Sequence, residues 1–131
     1  HTTSAAKTVD RIIEVFPAEQ QAQIRSTLAD GIRAVISQVL FKRIDKIGRC
    51  VAPEILVATP AVRNLIRESK THQLPSMMQT GKKYGMQLLD DAIMGLLNKG
   101  MISVDEAYIK ANDKGRFRPL LKTPPVDFTE A

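Results

Sequence analysis

Tryptophan is absent from the 131 residues, and only 5% of them are aromatic. That is too few rings for a platform on which single-stranded bases could stack. The single Cys50 cannot close an internal disulfide, which favours a reducing, cytoplasmic compartment. The other soft metal ligands are His1 and His72, far apart in sequence and without the paired spacing of a metal site, so no metal is expected. A Cys50–His72 nucleophile pair is formally available, but a cysteine in the middle of a strand is better explained as a small buried residue. No apolar run approaches the ~20 residues of a membrane-spanning helix. The N-terminus lacks the basic-then-apolar pattern of a signal peptide. A phosphate-binding loop is also missing. Thr80-Gly81-Lys82-Lys83 comes nearest, but the pattern G-x-x-x-x-G-K-[ST] fails at Ser76 and at Lys83. A helix rather than a strand also precedes it, so Gly81 to Gly85 reads as a turn with surface lysines.

What is present fits one domain with a real core: 44% of residues are hydrophobic and 25% charged. The net charge of +5 is spread along the chain rather than gathered in one block, which permits nucleic-acid binding without demanding it.

Ser4 can cap a helix whose apolar positions are Ala5, Ala6, Val9, Ile12, Ile13 and Phe16. Phe16-Pro17 breaks it, and a second helix runs from Pro17 or Ala18 to about Leu28. Two β-like runs follow, Ile32 to Lys42 and Arg49 to Ala58. Asp45 to Gly48 lies between them as a turn, giving an antiparallel hairpin. Pro53 should mark an edge or a bulge. Glu54, polar in an apolar run, reads as a partly buried, paired carboxylate rather than a catalytic one. Helices are expected from Leu74 to Thr80, from Met86 to Asn98 and from the capping box Ser103-Val104-Asp105-Glu106 to about Ala111, with Gly81 and Gly100 as stops. The five methionines read as core filler. Asp90 and Asp91 fall on the polar side of the Met86 helix, about 100° apart, and do not converge on one site. His72 reads as an exposed loop residue.

Pro60 to Glu68, PAVRNLIRE, is the most informative stretch. Thr59 suits an N-cap and Pro60 the first helical position. Ala61, Val62, Leu65 and Ile66 form an apolar face, while Arg63, Arg67 and Lys70 form a cationic stripe that calls for an anion, a carboxylate or water. Taken alone, that stripe is a solvated helix face.

The wording of the segment closely resembles a signature of the type IV pilus retraction ATPases, with Val62 where that family usually has isoleucine. Further stretches carry the same resemblance. His1 to Val15 resemble the histidine box of secretion-type ATPases, where a strand ends at the histidine and a helix follows. Val35-Ile36-Ser37-Gln38 resembles the family's VISQ stretch, and Gln79-Thr80-Gly81 and Gly85-Met86-Gln87 its QTG and GMQ turns. The resemblance implies an α/β, helix-rich fold: the C-terminal portion of a RecA-like P-loop NTPase domain with an antiparallel β-hairpin and C-terminal helices, over residues 1–113. Residues 114–131 are expected to form a loosely ordered tail. The chain would then be part of a longer protein whose phosphate loop and Mg²⁺-binding acidic residues precede His1.

That protein would be an ATP hydrolase using ATP and Mg²⁺. The resemblance further implies a homo-hexamer at the cytoplasmic face of the inner membrane that drives twitching motility through a pilus platform protein. His1 would take the catalytic role of sensing the nucleotide phosphates, a task suited to a group whose charge changes near neutral pH. Arg63, Asn64, Leu65, Ile66, Arg67 and Glu68 would serve coupling. No nucleotide is expected to stay tightly bound to this stretch alone, and no nucleic acid is an expected partner. The alternatives are another secretion or pilus-extension ATPase, against which Pro60 to Glu68 argues, or a basic helical module that binds nucleic acid or protein.

Overall fold

The structure is a computed structural model and describes residues 2–122. Two helices, α1 (Ala5–Glu14) and α2 (Ala18–Gly31), lead into a hairpin of β1 (Ala34–Lys42) and β2 (Arg49–Val57). Four helices follow: α3 (Pro60–Arg67), α4 (Leu74–Thr80), α5 (Leu89–Asn98) and α6 (Val104–Lys110). Short 3-10 turns lie at Thr71–Gln73, Lys82–Tyr84, Lys114–Arg116 and Arg118–Leu120.

The hairpin organises the rest. Its strands pair antiparallel without interruption from Ala34↔Val57 to Lys42↔Arg49, so Pro53 sits in a regular register opposite Gln38 and makes no bulge. Alternation turns Val35, Ser37, Val39 and Phe41 of β1 to the same side as Cys50, Ala52, Glu54 and Leu56 of β2. That inner face runs across two apolar clusters. Leu56 and Val35 belong to the first, with Val9 and Ile13 of α1, Val62 and Ile66 of α3, and Leu74 and Met78 of α4. Phe41 and Ala52 belong to the second, with Leu89 and Ile93 of α5, Tyr108 of α6, and Phe117. Between the clusters the register places one polar pair, Ser37 opposite Glu54.

Glu54 is 4% exposed. One carboxylate oxygen accepts from the backbone N–H of Ala5 at 2.8 Å and the other from that of Leu89 at 2.9 Å. These are the first residues of α1 and α5, whose leading N–H groups have no partner within the helix. The carboxylate also meets the positive end of each helix dipole. Leu88, the N-cap of α5, offers no side-chain cap of its own. Glu54 is therefore buried and paired as expected, with backbone donors as its partners.

Several expected boundaries move for identifiable reasons. α2 continues past Leu28 to Gly31, because side chains of α3 bind its last turn, as described below. α5 starts at Leu89 and not at Met86, because Gln87 joins β2 in a bridge with Ile55, with backbone bonds of 2.8 and 2.9 Å in both directions. Ile12 is exposed while α1 buries Ala5, Val9 and Ile13. Gly81 follows α4 at an ordinary negative φ, and its need for no side chain is steric: a Cβ there would lie 2.7 Å from the sulfur of Met86. Gly100 does close α5 in the left-handed region, with Gly100 N–H to Leu97 and Met101 N–H to Leu96 at 2.9 and 3.1 Å. Within the stretch expected as a loose tail from Lys114, Phe117 is fully buried and Leu121 leans on the same cluster, while Lys114, Arg116, Leu120 and Lys122 are exposed. Residues 123–131 of that expected tail lie outside the described residues.

At the hairpin turn the Arg43 guanidinium forks onto Asp45, with bonds of 2.8 and 2.7 Å. This holds the Asp45 carboxyl down to about 2, from an ordinary 3.8. A carboxyl depressed on folding stabilises the turn above its ordinary pKa and loses that contribution as pH falls through the folded value. Carbon-detected NMR titration should place the Asp45 midpoint near about 2, and Arg43→Gln should return it toward 3.8. A wild-type midpoint already at the ordinary value would refute the fork.

Glu54→Gln puts an amide –NH₂ against one of the two helix N–H groups. We expect it to cost about 2–3 kcal/mol, read as a lower urea midpoint at unchanged slope. A cost under about 0.5 kcal/mol would mean that the carboxylate does not hold the two helices.

Candidate functional site

The first component is α3. Thr59 Oγ1 accepts from the Val62 N–H at 3.3 Å, and Pro60 takes the first helical position. Val62 and Ile66 are fully buried and Leu65 packs against them, while Ala61, expected on that face, is exposed. The helix ends in a left-handed residue that is not glycine: Ser69, at φ 61°, with its N–H on Ile66 and that of Lys70 on Leu65.

The arginines of the cationic stripe reach across to α2. Arg63 Nη1 donates to the carbonyl oxygens of Ala29 at 2.6 Å and Asp30 at 3.0 Å. Both belong to the last turn of α2, where carbonyls lack helical partners and the dipole is negative. Arg67 pairs with the Asp30 carboxylate at 2.5 Å and donates to the Asn64 side-chain oxygen at 2.9 Å. Lys70 reaches Glu68 at 3.2 Å on the surface. Of the six residues expected to couple, Arg63, Asn64 and Arg67 thus form one polar lock onto α2. Leu65 and Ile66 anchor the opposite face, and Glu68 closes the helix from outside.

The second component is the segment that follows His1. His1 itself, the expected nucleotide sensor, lies outside the described residues. The residues after it are tied down from several directions. Thr2 and Thr8 share a hydroxyl–hydroxyl bond of 2.6 Å, and the Ser4 hydroxyl accepts from the Lys7 N–H at 3.4 Å. Glu54 holds Ala5. Thr3 is gripped twice by Asn112: its hydroxyl donates to Asn112 Oδ1 at 3.0 Å, and Asn112 Nδ2 donates to its carbonyl at 3.1 Å. A cleft of about 440 Å³ opens beside this segment, lined among others by Ser4, Lys7, Gln79, Asn112 and Arg116.

Asp90 supports that grip and corrects its expected place on a polar face. It is 8% exposed, and its two oxygens accept from the backbone N–H groups of Asn112 and Asp113 at 2.9 and 2.8 Å. Asp91 pairs with Arg116 at 2.7 Å, so the neighbouring carboxylates, pointing apart, both hold the strip after α6. Sequence reasoning found neither role. The only trace was a pair of acids in the first turn of a helix, where acids are common for the dipole alone.

Cys50 and His72 do not form a site; His72 is exposed in the turn before α4, while Cys50 packs beneath the hairpin. Among the described residues no group of three or more His, Cys, Asp and Glu could hold a metal ion. Among the same residues no helix is long and apolar enough to cross a membrane.

A hairpin whose inner face carries two helical clusters, entered through a cross-linked helix start and closed by an arginine-locked α3, is the architecture of the C-terminal part of a motor ATPase domain. The particular kind is specific. Over the stretch it spans, the chain is a homologue of the type IV pilus retraction ATPases. It is 54% identical over 111 residues to the retraction ATPase PilT of Pseudomonas aeruginosa, a match covering 85% of this chain and 32% of that protein. It is 50% identical over 113 residues to a twitching motility protein of Neisseria gonorrhoeae, covering 86% of this chain and 30% of the relative. The crystal structure of the pilus retraction motor PilT with bound ADP superposes with a TM-score of 0.77 at 35% identity, covering 88% of this chain and 32% of that one. The chain thus spans about a third of the length of these relatives. No family model matches it.

The two arginines of α3 should separate on substitution. Arg63→Met strands the last carbonyls of α2 and should cost about 1–2 kcal/mol of stability. Arg67→Met removes a surface pair and should cost less than about 1 kcal/mol. Equilibrium urea unfolding of both variants checks this, and a larger loss at Arg67 would reverse the assignment.

Proposed function

We propose that this chain is the force-transmitting part of a motor ATPase that retracts type IV pili and so drives twitching motility. The observation that carries the reading is the 54% identity to a retraction ATPase over 85% of the chain. In this reading the whole protein binds ATP with Mg²⁺ and works as a homo-hexamer at the cytoplasmic face of the inner membrane, against a pilus platform protein. The ADP bound to the similar retraction motor supports the nucleotide. His1 senses the phosphates at the nucleotide site.

The coupling residues act mechanically. Arg63 and Arg67 fasten α2 to α3, while Leu65 and Ile66 fasten α3 to the cluster under α1 and β2. A displacement of α3 therefore carries α2 and the hairpin with it. This stretch alone has no phosphate cradle. Since positioning and neutralising the phosphates is most of that catalysis, it does not hydrolyse ATP by itself. The engagement of Arg63, Arg67 and Lys70 by partners within the chain counts against the nucleic-acid reading, which needs those cations free.

The test is made in the complete ATPase. Arg67→Ala should leave ATP turnover within about twofold of wild type while abolishing twitching, because it removes transmission and not chemistry. Twitching that persists, or turnover that collapses together with it, would overturn the coupling role.

A further inference from the structure

The turn of the hairpin carries residues that its geometry does not ask for. Turns favour Gly, Asn, Asp, Ser and Pro, yet this one contains Ile44, 63% exposed, and Ile47, fully exposed. Neither belongs to an apolar cluster of the core. Behind the turn, on the outer face of the hairpin, Lys42 stands opposite Arg49, and behind that pair Leu40 stands opposite Val51. Leu40 and Val51 are exposed as well. Four apolar side chains thus share one end of the hairpin with Lys42, Lys46 and Arg49, all three of them exposed. Among the described residues none of these cations makes a salt bridge, and the one acid of the turn, Asp45, is engaged by the Arg43 fork. A shallow hollow of about 330 Å³ is lined by Lys42, Gly48 and Arg49.

The turn is also held in shape. The Arg43 N–H donates to the Gly48 carbonyl at 3.0 Å and the Ile44 N–H to the Met101 carbonyl at 2.9 Å. Gly48 takes φ 126°, which a side chain would strain. The two isoleucines are therefore presented on a fixed backbone, which lowers the ordering cost of any docking they make.

We propose that the hairpin tip is a docking surface for an anionic lipid bilayer, with Ile44 and Ile47 entering the headgroup region and Lys42, Lys46 and Arg49 meeting lipid phosphates. Exposed apolar groups beside unpaired cations match a surface that holds hydrocarbon beneath a layer of negative charge. The hollow between Lys42 and Arg49 suits a phosphodiester, which both side chains can reach. The spacing agrees: two extended residues from Lys42 to Ile44 span up to about 7 Å, within the depth of about 5–10 Å to which interfacial anchors bury. A protein partner would need a preformed pocket for two projecting isoleucines, whereas a bilayer yields around them. Among the described residues no helix is long and apolar enough to cross a membrane, so the contact made here is peripheral. With three cations and two short side chains it is weak, reversible and sensitive to salt.

The experiment is flotation of the complete ATPase with vesicles, either phosphatidylcholine alone or phosphatidylcholine mixed with phosphatidylglycerol, each variant first checked for an unchanged melting temperature. Wild type should float with the anionic vesicles and not with the neutral ones, and raising salt from about 0.05 to about 0.5 M should release it. Lys42→Gln/Lys46→Gln/Arg49→Gln should lower the partition coefficient about a hundredfold. Ile44→Ser/Ile47→Ser, which leaves every charge in place, should lower it by about tenfold or more. If the double variant fails to fold, Ile47→Ser serves instead with a smaller loss, because a fully exposed side chain gives up no packing. Ile47→Trp should add fluorescence that shifts to the blue on anionic vesicles and is quenched by brominated acyl chains.

Equal flotation with both kinds of vesicle, or with neither, overturns the inference. Wild-type partition in the folded isoleucine variants does so too, since it would leave only diffuse adsorption of a basic protein. Binding that appears only when the vesicles carry a membrane protein would assign the tip to that protein and overturn the lipid assignment. The assay reads neither ATP turnover nor twitching, so its failure leaves the retraction reading standing.

Discussion

The arrangement depends on one buried carboxylate. Glu54 sits at the midpoint of the inner hairpin face, where the apolar cluster under α1, α3 and α4 gives way to the one under α5 and α6. Burying a charge there without partners would be strongly unfavourable. Two helix N-termini supply them, each with an unpaired N–H and a positive dipole end. The result is a three-way junction of strand, α1 and α5. A hydrophobic contact would let either helix slide by a fraction of a turn, whereas two directional bonds from one rigid group fix where each helix begins. The start of α1 is the end of the histidine segment, and the start of α5 carries Asp90. The segment after His1 and the Asp90 that supports it are therefore both positioned from Glu54.

α3 shows how a motif that reads as an open cationic surface can be an internal fastening. Its arginines answer a need elsewhere in the chain, the unpaired carbonyls at the end of α2, which carries no basic residue in its own last turn. The two faces of α3 differ in kind. Val62 and Ile66 are packed in a dense interior that transmits displacement stiffly. Arg63 and Arg67 hold α2 through directional polar bonds at the edge of solvent, which can break and reform without disturbing the core.

This difference also explains what was legible in the sequence. Periodicity located every helix and the hairpin, because burial imposes 3.6- and 2-residue repeats directly on residue type. The caps Ser4, Thr59 and Ser103 were readable for the same reason, since each acts within its own turn. What could not be read was everything that depends on residues distant in sequence. Met86 to Leu88 continue the apolar pattern of α5, yet they are extended because β2 offers Gln87 a bridge. Phe117 sits in a stretch whose lysines, arginines and prolines look like a loose tail, yet one aromatic ring with a cluster to enter is enough to fold it back. Asp90, Asn112 and Thr3 carry no local signal that they belong together. The resemblance to the retraction ATPases singled out α3 and the segment after His1, but could not say that the arginines of α3 reach across to α2 or that Asn112 grips Thr3.

The two components differ in how they are joined to the rest, and that bears on how such a module would work. α3 connects to α1 through apolar packing, and in the 3-10 turn that follows it the Thr71 hydroxyl donates to Asp10 of α1 at 2.7 Å. Thr3 of the histidine segment connects to α5 through Asn112 and Asp90, a chain made of hydrogen bonds. The stiff route suits a part that must carry load, since a packed interior resists compression and shear. The polar route suits a part that must be placed accurately and yield without loss of the core, since each bond is directional but modest in net worth. The fold keeps the two kinds of joint on separate elements, apolar packing on α3 and directional bonds at the segment before α1.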